Sequence, residues 1–497
     1  KSEKQTLGAE MSNPIRKLIS QTAVYGLSSI VGRLLNYLLV PLYTSVFTDP
    51  AHYGVVSELY AWVAFLIVIL TFGMETAFFR FIQTSENRQQ TYLNSLATVL
   101  GLNVFFFAIL LFFNNDIASF MLYEGHNEYI ILLGIIVCID AISAIPLAKL
   151  RVEEKSMRFV SIQITSIIVN VGLNLFLMLY LFDPERPEEG VLFILLANLC
   201  ASLVKPLMLY DSFNLSGLKI NWAEIKLMLI YSFPLVIGSF AGIINETIDR
   251  ILLKQIIYNP ADISTLHTAE AEVGIYSACY KLAMLVTILL QAYRYAAEPF
   301  FFNQMKNEDR NVIYVKVMNL FVATVCLVFL FVSLNIDLFK HFIQNKSYWA
   351  GLPVVPILLL ANVFLGIYYN QSIWYKLSGK TQYGAYIAII GASLTIGINI
   401  IFIPTYGYMA SAWATFIVYA VQMVISYFLG QKHYPIPYNL KKFFLYLGLA
   451  LVIYAIGSQI HFERYFTQFI LQNALLLGYV LFVFKMERHS FSNKLRM

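Results

Sequence analysis

Three basic residues, Arg33, Lys281 and Arg294, stand inside stretches whose other side chains are those of a membrane interior. The stretch 25–47 is long enough to cross a bilayer, and an arginine near its middle costs about 2.5–3.5 kcal/mol if it faces lipid. Arg33 is therefore expected to face protein or water. At steps of three and four, Tyr25, Ser29, Arg33 and Asn36 share one side of that helix, with Gly32 alongside. Around Arg294 the same spacing gathers Tyr276, Tyr280, Thr287, Gln291 and Glu298, with Lys281 beside them. A third stretch aligns Gly238, Gly242, Asn245 and Asp249, and Glu246 precedes Arg250 by four residues, the favourable direction for a helix ion pair. Glu58, Glu75, Arg80 and Asp140 complete the ionisable groups in or at the edge of apolar segments.

Cations exposed in a cleft of low dielectric attract anions, and a guanidinium matches phosphate through paired hydrogen bonds. The residue types thus predict an anionic, phosphorylated substrate. Each group also has a purely structural reading. Glu246 with Arg250, and Arg294 with Glu298, can be neutralised pairs; Arg80 can snorkel to lipid headgroups; Tyr276 and Tyr280 can be packing residues. Arg33 and Lys281 have no acid three or four residues away, so their partners must come from another helix or from a substrate. Tyr368, Tyr369, Asn370, Gln371 and Trp374 suit sugar faces and hydroxyls, and suit a membrane-interface belt equally well. Soluble-enzyme motifs are missing: Gly379-Lys380-Thr381 resembles the end of a phosphate loop, but Trp374 stands where its first glycine belongs. The seven histidines are scattered and the four cysteines isolated, so no catalytic residue, metal site or cofactor is expected. Coupling to protons or sodium would fall to Glu75, Asp249 or Glu298, because buried acids form relays.

The elements that must hold these residues are membrane helices. Of the 497 residues, 59% are hydrophobic and 13% charged, and the mean hydropathy is +0.67; soluble domains carry about a quarter charged residues. Apolar windows predict an all-α polytopic membrane protein of about 14 transmembrane helices. Of the 34 Lys and Arg, 25 fall at one set of ends, 6 at the opposite loops, and three inside spans, which predicts both termini in the cytoplasm. Residues 1–10 read as an added or upstream extension before Met11-Ser12-Asn13-Pro14.

The second half echoes the first. Gly54…Ser57…Tyr60 matches Gly274…Ser277…Tyr280, Val171-Gly172-Leu173-Asn174 matches Ile396-Gly397-Ile398-Asn399, and Gly190 matches Gly407, at offsets of 220, 225 and 217. Two six-helix repeats around a central cavity follow: an N-lobe (19–212) after a cytoplasmic segment (1–18), a C-lobe (213–432), then two extra helices and a tail (433–497). Repeats of one orientation are related by an axis along the membrane normal, which is transporter architecture.

The opening Gly32-Arg33-x-x-Asn36-Tyr37-x-x-Val40-Pro41-Leu42-Tyr43-Thr44, with Tyr53-Gly54, Phe72-Gly73-Met74-Glu75, Phe79-Arg80-Phe81 and Ile248-Asp249-Arg250, resembles the polysaccharide transporter family. Its members are O-antigen-type flippases of the superfamily that also holds lipid II flippases and multidrug extruders. The resemblance implies a two-lobed alternating-access flippase of the bacterial inner membrane. Its substrate would be an undecaprenyl-pyrophosphate-linked oligosaccharide moved from the cytoplasmic to the periplasmic leaflet, with membrane lipids and polysaccharide assembly proteins as partners and no nucleic acid. By position, Arg33, Arg80 and Arg294 look like the counterparts of the residues that hold the pyrophosphate in that family; the reading of the residues themselves adds Lys281 to this set and Asn36, Asn245, Gln291 and Tyr280 to the cavity lining. A cation-coupled multidrug extruder of the same fold is the alternative, disfavoured by Arg33 and the lack of an acid in span one. A membrane polysaccharide polymerase or ligase usually needs a large periplasmic loop, and none is expected here.

Overall fold

The computed structural model describes residues 32, 34–35, 37–214, 216–217, 219–305, 307–460 and 465–492. Arg33 and Asn36, and most of the first expected span, lie outside the described residues. Among those described, thirteen helical stretches are long and apolar enough to cross a membrane. The protein is an all-helical multi-pass membrane protein, and these stretches answer to the second through fourteenth expected spans.

The chain divides into two compact units, Lys1–Ile251 and Leu252–Met497. The first holds α1 (Leu39–Val46), α2 (Pro50–Thr71), α3 (Met74–Thr84), α4 (Arg88–Phe112), α5 (Asn127–Val152), α6 (Ser156–Phe176), α7 (Pro187–Met208) and most of α8 (Trp222–Ile257). The second holds α9 (Ser264–Gln304), α10 (Arg310–Leu334), α11 (Val354–Gln371), α12 (Ile373–Leu377), α13 (Gln382–Tyr406), α14 (Tyr408–His433), α15 (Leu440–Ser458) and α16 (Tyr465–Ser492).

In the first unit the apolar stretch 55–81, which reads as one span, is two helices rather than one. Asp49 starts α2 by accepting from the Ala51 N–H at 2.9 Å, but Phe72 and Gly73 take left-handed backbone, with φ of 47° and 64°. That conformation costs about 1–2 kcal/mol for a residue with a Cβ, so Phe72 needs packing to keep it there. The helix that follows the break, α3, is firmly seated: its Met74, Ala77, Phe78 and Ile82 are buried with Tyr92 and Leu96 of α4, Ile145 and Ala148 of α5 and Met228 of α8. The break sets the direction in which α3 carries Glu75 and Arg80.

In the second unit α9 is a continuous helix of 41 residues. It begins at Ser264, so the connection that follows Ile257 of α8 is short. Asn259 and Asp262 fold it tightly, their side chains accepting from the N–H groups of Ala261 and Ser264. Here the break falls in the partner crossing, between α11 and α12. The two last helices pack on α10: the Tyr454 ring of α15 lies 5.4 Å from that of Phe329, and Tyr479 of α16 donates to the Ala323 carbonyl at 3.3 Å.

The internal repeat is visible in side-chain detail. Asn174 and Asn399 are both fully buried. Each returns its amide N–H to the carbonyl four residues earlier, at 2.8 and 2.7 Å. Each also accepts a hydroxyl from another helix, Tyr43 at 2.8 Å in one unit and Ser411 at 2.7 Å in the other.

Candidate functional site

The second unit presents a polar face where α9 meets α11 and α12. Asn362 donates to the Ala283 carbonyl at 3.2 Å and Asn370 to the Tyr293 hydroxyl at 2.5 Å, which fixes the register of α11 on α9. Just beyond these contacts lie Arg294 and Glu298. The Glu298 carboxylate is bound by the Lys376 ammonium from α12. Arg294 is exposed, its guanidinium 5.0 Å from the centre of the Tyr369 ring. Among the described residues no carboxylate lies within ion-pair distance of it, so the structural alternative of an Arg294–Glu298 pair gives way to Glu298–Lys376.

The aromatic and amide cluster of this crossing is not an interface belt. Tyr368, Asn370, Gln371 and Trp374 are buried, and the Trp374 indole donates to the Ser426 hydroxyl of α14 at 3.2 Å. Tyr276 and Tyr280 are also buried, their rings 5.8 Å apart, and Lys281 beside them is half-buried. The side-chain oxygens of Gln291 and Gln371 are enclosed and have no hydrogen-bond donor among the described residues. Enclosed acceptors of this kind are costly unless water or a ligand donates to them.

The first unit carries a related arrangement at α3 and α5. Glu75 is bound by Arg151 at 2.8 Å, and the Arg151 guanidinium also lies over the Phe79 ring at 4.6 Å. Arg80 is exposed and stacks on Tyr231 at 4.4 Å, with no carboxylate within ion-pair distance among the described residues. Asp140 of α5 meets Lys205 of α7 at 2.7 Å. Arg250 binds the Asp249 carboxylate at 2.9 Å and donates to the Glu246 carbonyl at 2.8 Å; Asn245, one turn earlier, is buried. Glu58 is fully enclosed and accepts from the Trp62 indole at 3.1 Å and the Tyr123 hydroxyl at 2.5 Å. In the connection after α7, hydrogen bonds from Arg158 hold the Asp211 carboxyl below its usual pKa.

The three acids expected to serve ion coupling, Glu75, Asp249 and Glu298, are therefore each in an ion pair. Two of their bases, Arg151 and Lys376, are absent from the sequence-based site because they read as charges of the basic loops. One signal could have found them: they are 225 residues apart, the displacement that relates Asn174 to Asn399.

Comparison with known proteins adds the following. The family described as "Polysaccharide biosynthesis protein" matches residues 18–305. The chain is 20% identical over 390 residues to an uncharacterized membrane protein of Haemophilus influenzae, covering 76% of this chain and 89% of that one. It is 20% identical over 294 residues to the Lsg locus putative protein 1 of the same organism, covering 59% and 68%. Among solved structures, the lipid II flippase MurJ in an inward closed conformation aligns with a TM-score of 0.70 at 15% identity, covering 94% of this chain and 98% of that one. An inward-facing multidrug resistance MATE family transporter of the MOP superfamily aligns with a TM-score of 0.60 at 15% identity, covering 82% and 94%. At such identities the likeness is one of fold.

Proposed function

The chain belongs to the polysaccharide biosynthesis protein family, and from that premise we propose that it moves a polyprenyl-pyrophosphate-linked oligosaccharide across the bacterial inner membrane by alternating access. In this reading undecaprenyl pyrophosphate is the lipid carrier, the glycan travels from the cytoplasmic to the periplasmic leaflet, and both termini are cytoplasmic. Arg33, Arg80, Lys281 and Arg294 engage the pyrophosphate, and Asn36, Asn245, Gln291 and Tyr280 contribute to the polar path. The observation that carries the proposal is the state of Arg80 and Arg294. Nearby acids are committed to other bases, while these two guanidinium groups meet only aromatic faces among the described residues. A guanidinium stacked on a ring keeps its N–H edge free for paired hydrogen bonds to phosphate oxygens. The alternative of an organic-cation extruder calls for uncommitted acids, whereas Glu75, Asp140, Asp249 and Glu298 are all ion-paired.

The test is transport in proteoliposomes loaded with a fluorescent undecaprenyl-pyrophosphate glycan. Arg294→Ala is expected to lower the initial rate at least about tenfold, the scale of losing one charge-assisted contact, with protein abundance unchanged. Transport at the unaltered rate by an Arg33→Ala/Arg294→Ala protein would overturn the reading, as would transport of organic cations in place of the glycan. Imposed pH and sodium gradients test the coupling role of Glu75, Asp249 and Glu298: a rate indifferent to both removes it.

A further inference from the structure

We infer that Lys376 is a positioning residue which, by holding the Glu298 carboxylate, keeps that acid off Arg294 and leaves the guanidinium open to an anionic substrate. The inference rests on the pyrophosphate reading above and adds a residue to it. Glu298 lies four residues after Arg294 on the uninterrupted helix α9, a spacing at which side chains are neighbours and opposite charges pair. Glu298 is bound instead by Lys376, which reaches it from a different helix. Two features favour that choice. An acid that follows its base along a helix is in the weaker order for an internal pair, and Arg294 is engaged by the Tyr369 face. Both members of the Glu298–Lys376 pair are partly solvated, with side-chain exposures of 40% and 27%, so the pair adds little to stability. Its effect lies in which cation is left uncovered.

The first unit supports the same logic. Glu75 is held by Arg151, the residue 225 positions before Lys376, and Arg80 is likewise left with an aromatic partner. Removing Lys376 releases Glu298 to its helix neighbour, where it competes with a bound anion for Arg294.

Isothermal titration of the purified full chain with farnesyl pyrophosphate tests this. Arg294→Ala examines the underlying reading and should weaken binding; unchanged affinity there removes the pyrophosphate role of Arg294 itself. Lys376→Gln should raise Kd about fivefold, the equivalent of a partly exposed ion pair. Lys376→Arg should retain the unaltered affinity, and Lys376→Gln/Glu298→Gln should return Kd to within about twofold of the unaltered chain, because the competing charge is gone. With Arg294→Ala weakened, two results would overturn the role of Lys376: Lys376→Gln binding as the unaltered chain does, or the double variant binding as weakly as the single. Melting temperatures of the variants separate a binding loss from a folding loss.

Discussion

In the first unit the acid Glu75 sits on α3, just past the left-handed Phe72 and Gly73, and takes its base from the end of the unbroken α5. In the second, Glu298 sits on the unbroken α9 and takes its base from α12, past the break in the partner crossing. The pairing is common to the two halves, and the backbone interruption that permits it is on opposite members. Comparison of the units teaches that the electrostatic relation, acid from one crossing and base from another, outlasts the detailed path of the helices. The buried Asn174 and Asn399 follow the same rule, with matching bonds to unlike partners. Glu58 does not: the offset that pairs Gly54 with Gly274 places Ala278 opposite it.

The largest effect expected from this comparison is at Glu58. Glu58→Ala gives the first unit the residue of the second, yet leaves the Trp62 indole and the Tyr123 hydroxyl without their acceptor. At about 1–3 kcal/mol for each of the two donors left unsatisfied, the loss should be about 2–6 kcal/mol in denaturant unfolding of the detergent-solubilised protein. Adding Trp62→Leu and Tyr123→Phe should recover most of it, since Leu282 is the corresponding residue of the second unit. A stable single variant would break the claim that the first unit depends on Glu58 as the acceptor for these two donors.

A smaller effect sharpens the likeness. Asn174→Ala and Asn399→Ala each strip the acceptor from one buried hydroxyl and should cost about 1–3 kcal/mol apiece, with closely similar drops in melting temperature. A large inequality would mean that the matching bonds carry unequal weight. The smallest effect concerns the helix break. Gly73→Ala places a Cβ at φ 64°, 3.4 Å from the Ser232 Cβ, and should cost about 1 kcal/mol, mostly from backbone strain. The same change at Gly366 of α11, which is not among the glycines of positive φ, is a packing test instead: a Cβ there would meet Leu290 at 2.6 Å.

Much of this molecule can be read before any coordinates. Composition and hydropathy specify a multi-pass helical protein because a bilayer tolerates no other backbone arrangement for such apolar runs. The offset motifs announce the duplication, and helix spacing finds the face that carries Gln291, Arg294 and Glu298. The same spacing leaves open a pair between Arg294 and Glu298, and the acid goes to another helix instead. The spacing carries a helix through Phe72 as well, because no local rule favours an aromatic in left-handed backbone.

By itself the sequence determined the membrane-spanning class, the repeat and the residue types able to hold a phosphate, since these follow from side-chain chemistry and periodicity along one helix. Tertiary structure alone decided which charges are neutralised: Glu75 by Arg151, Asp140 by Lys205, Glu298 by Lys376. An ion pair between helices depends on distances across 65 to 78 residues of chain, and nothing local in the sequence encodes those separations.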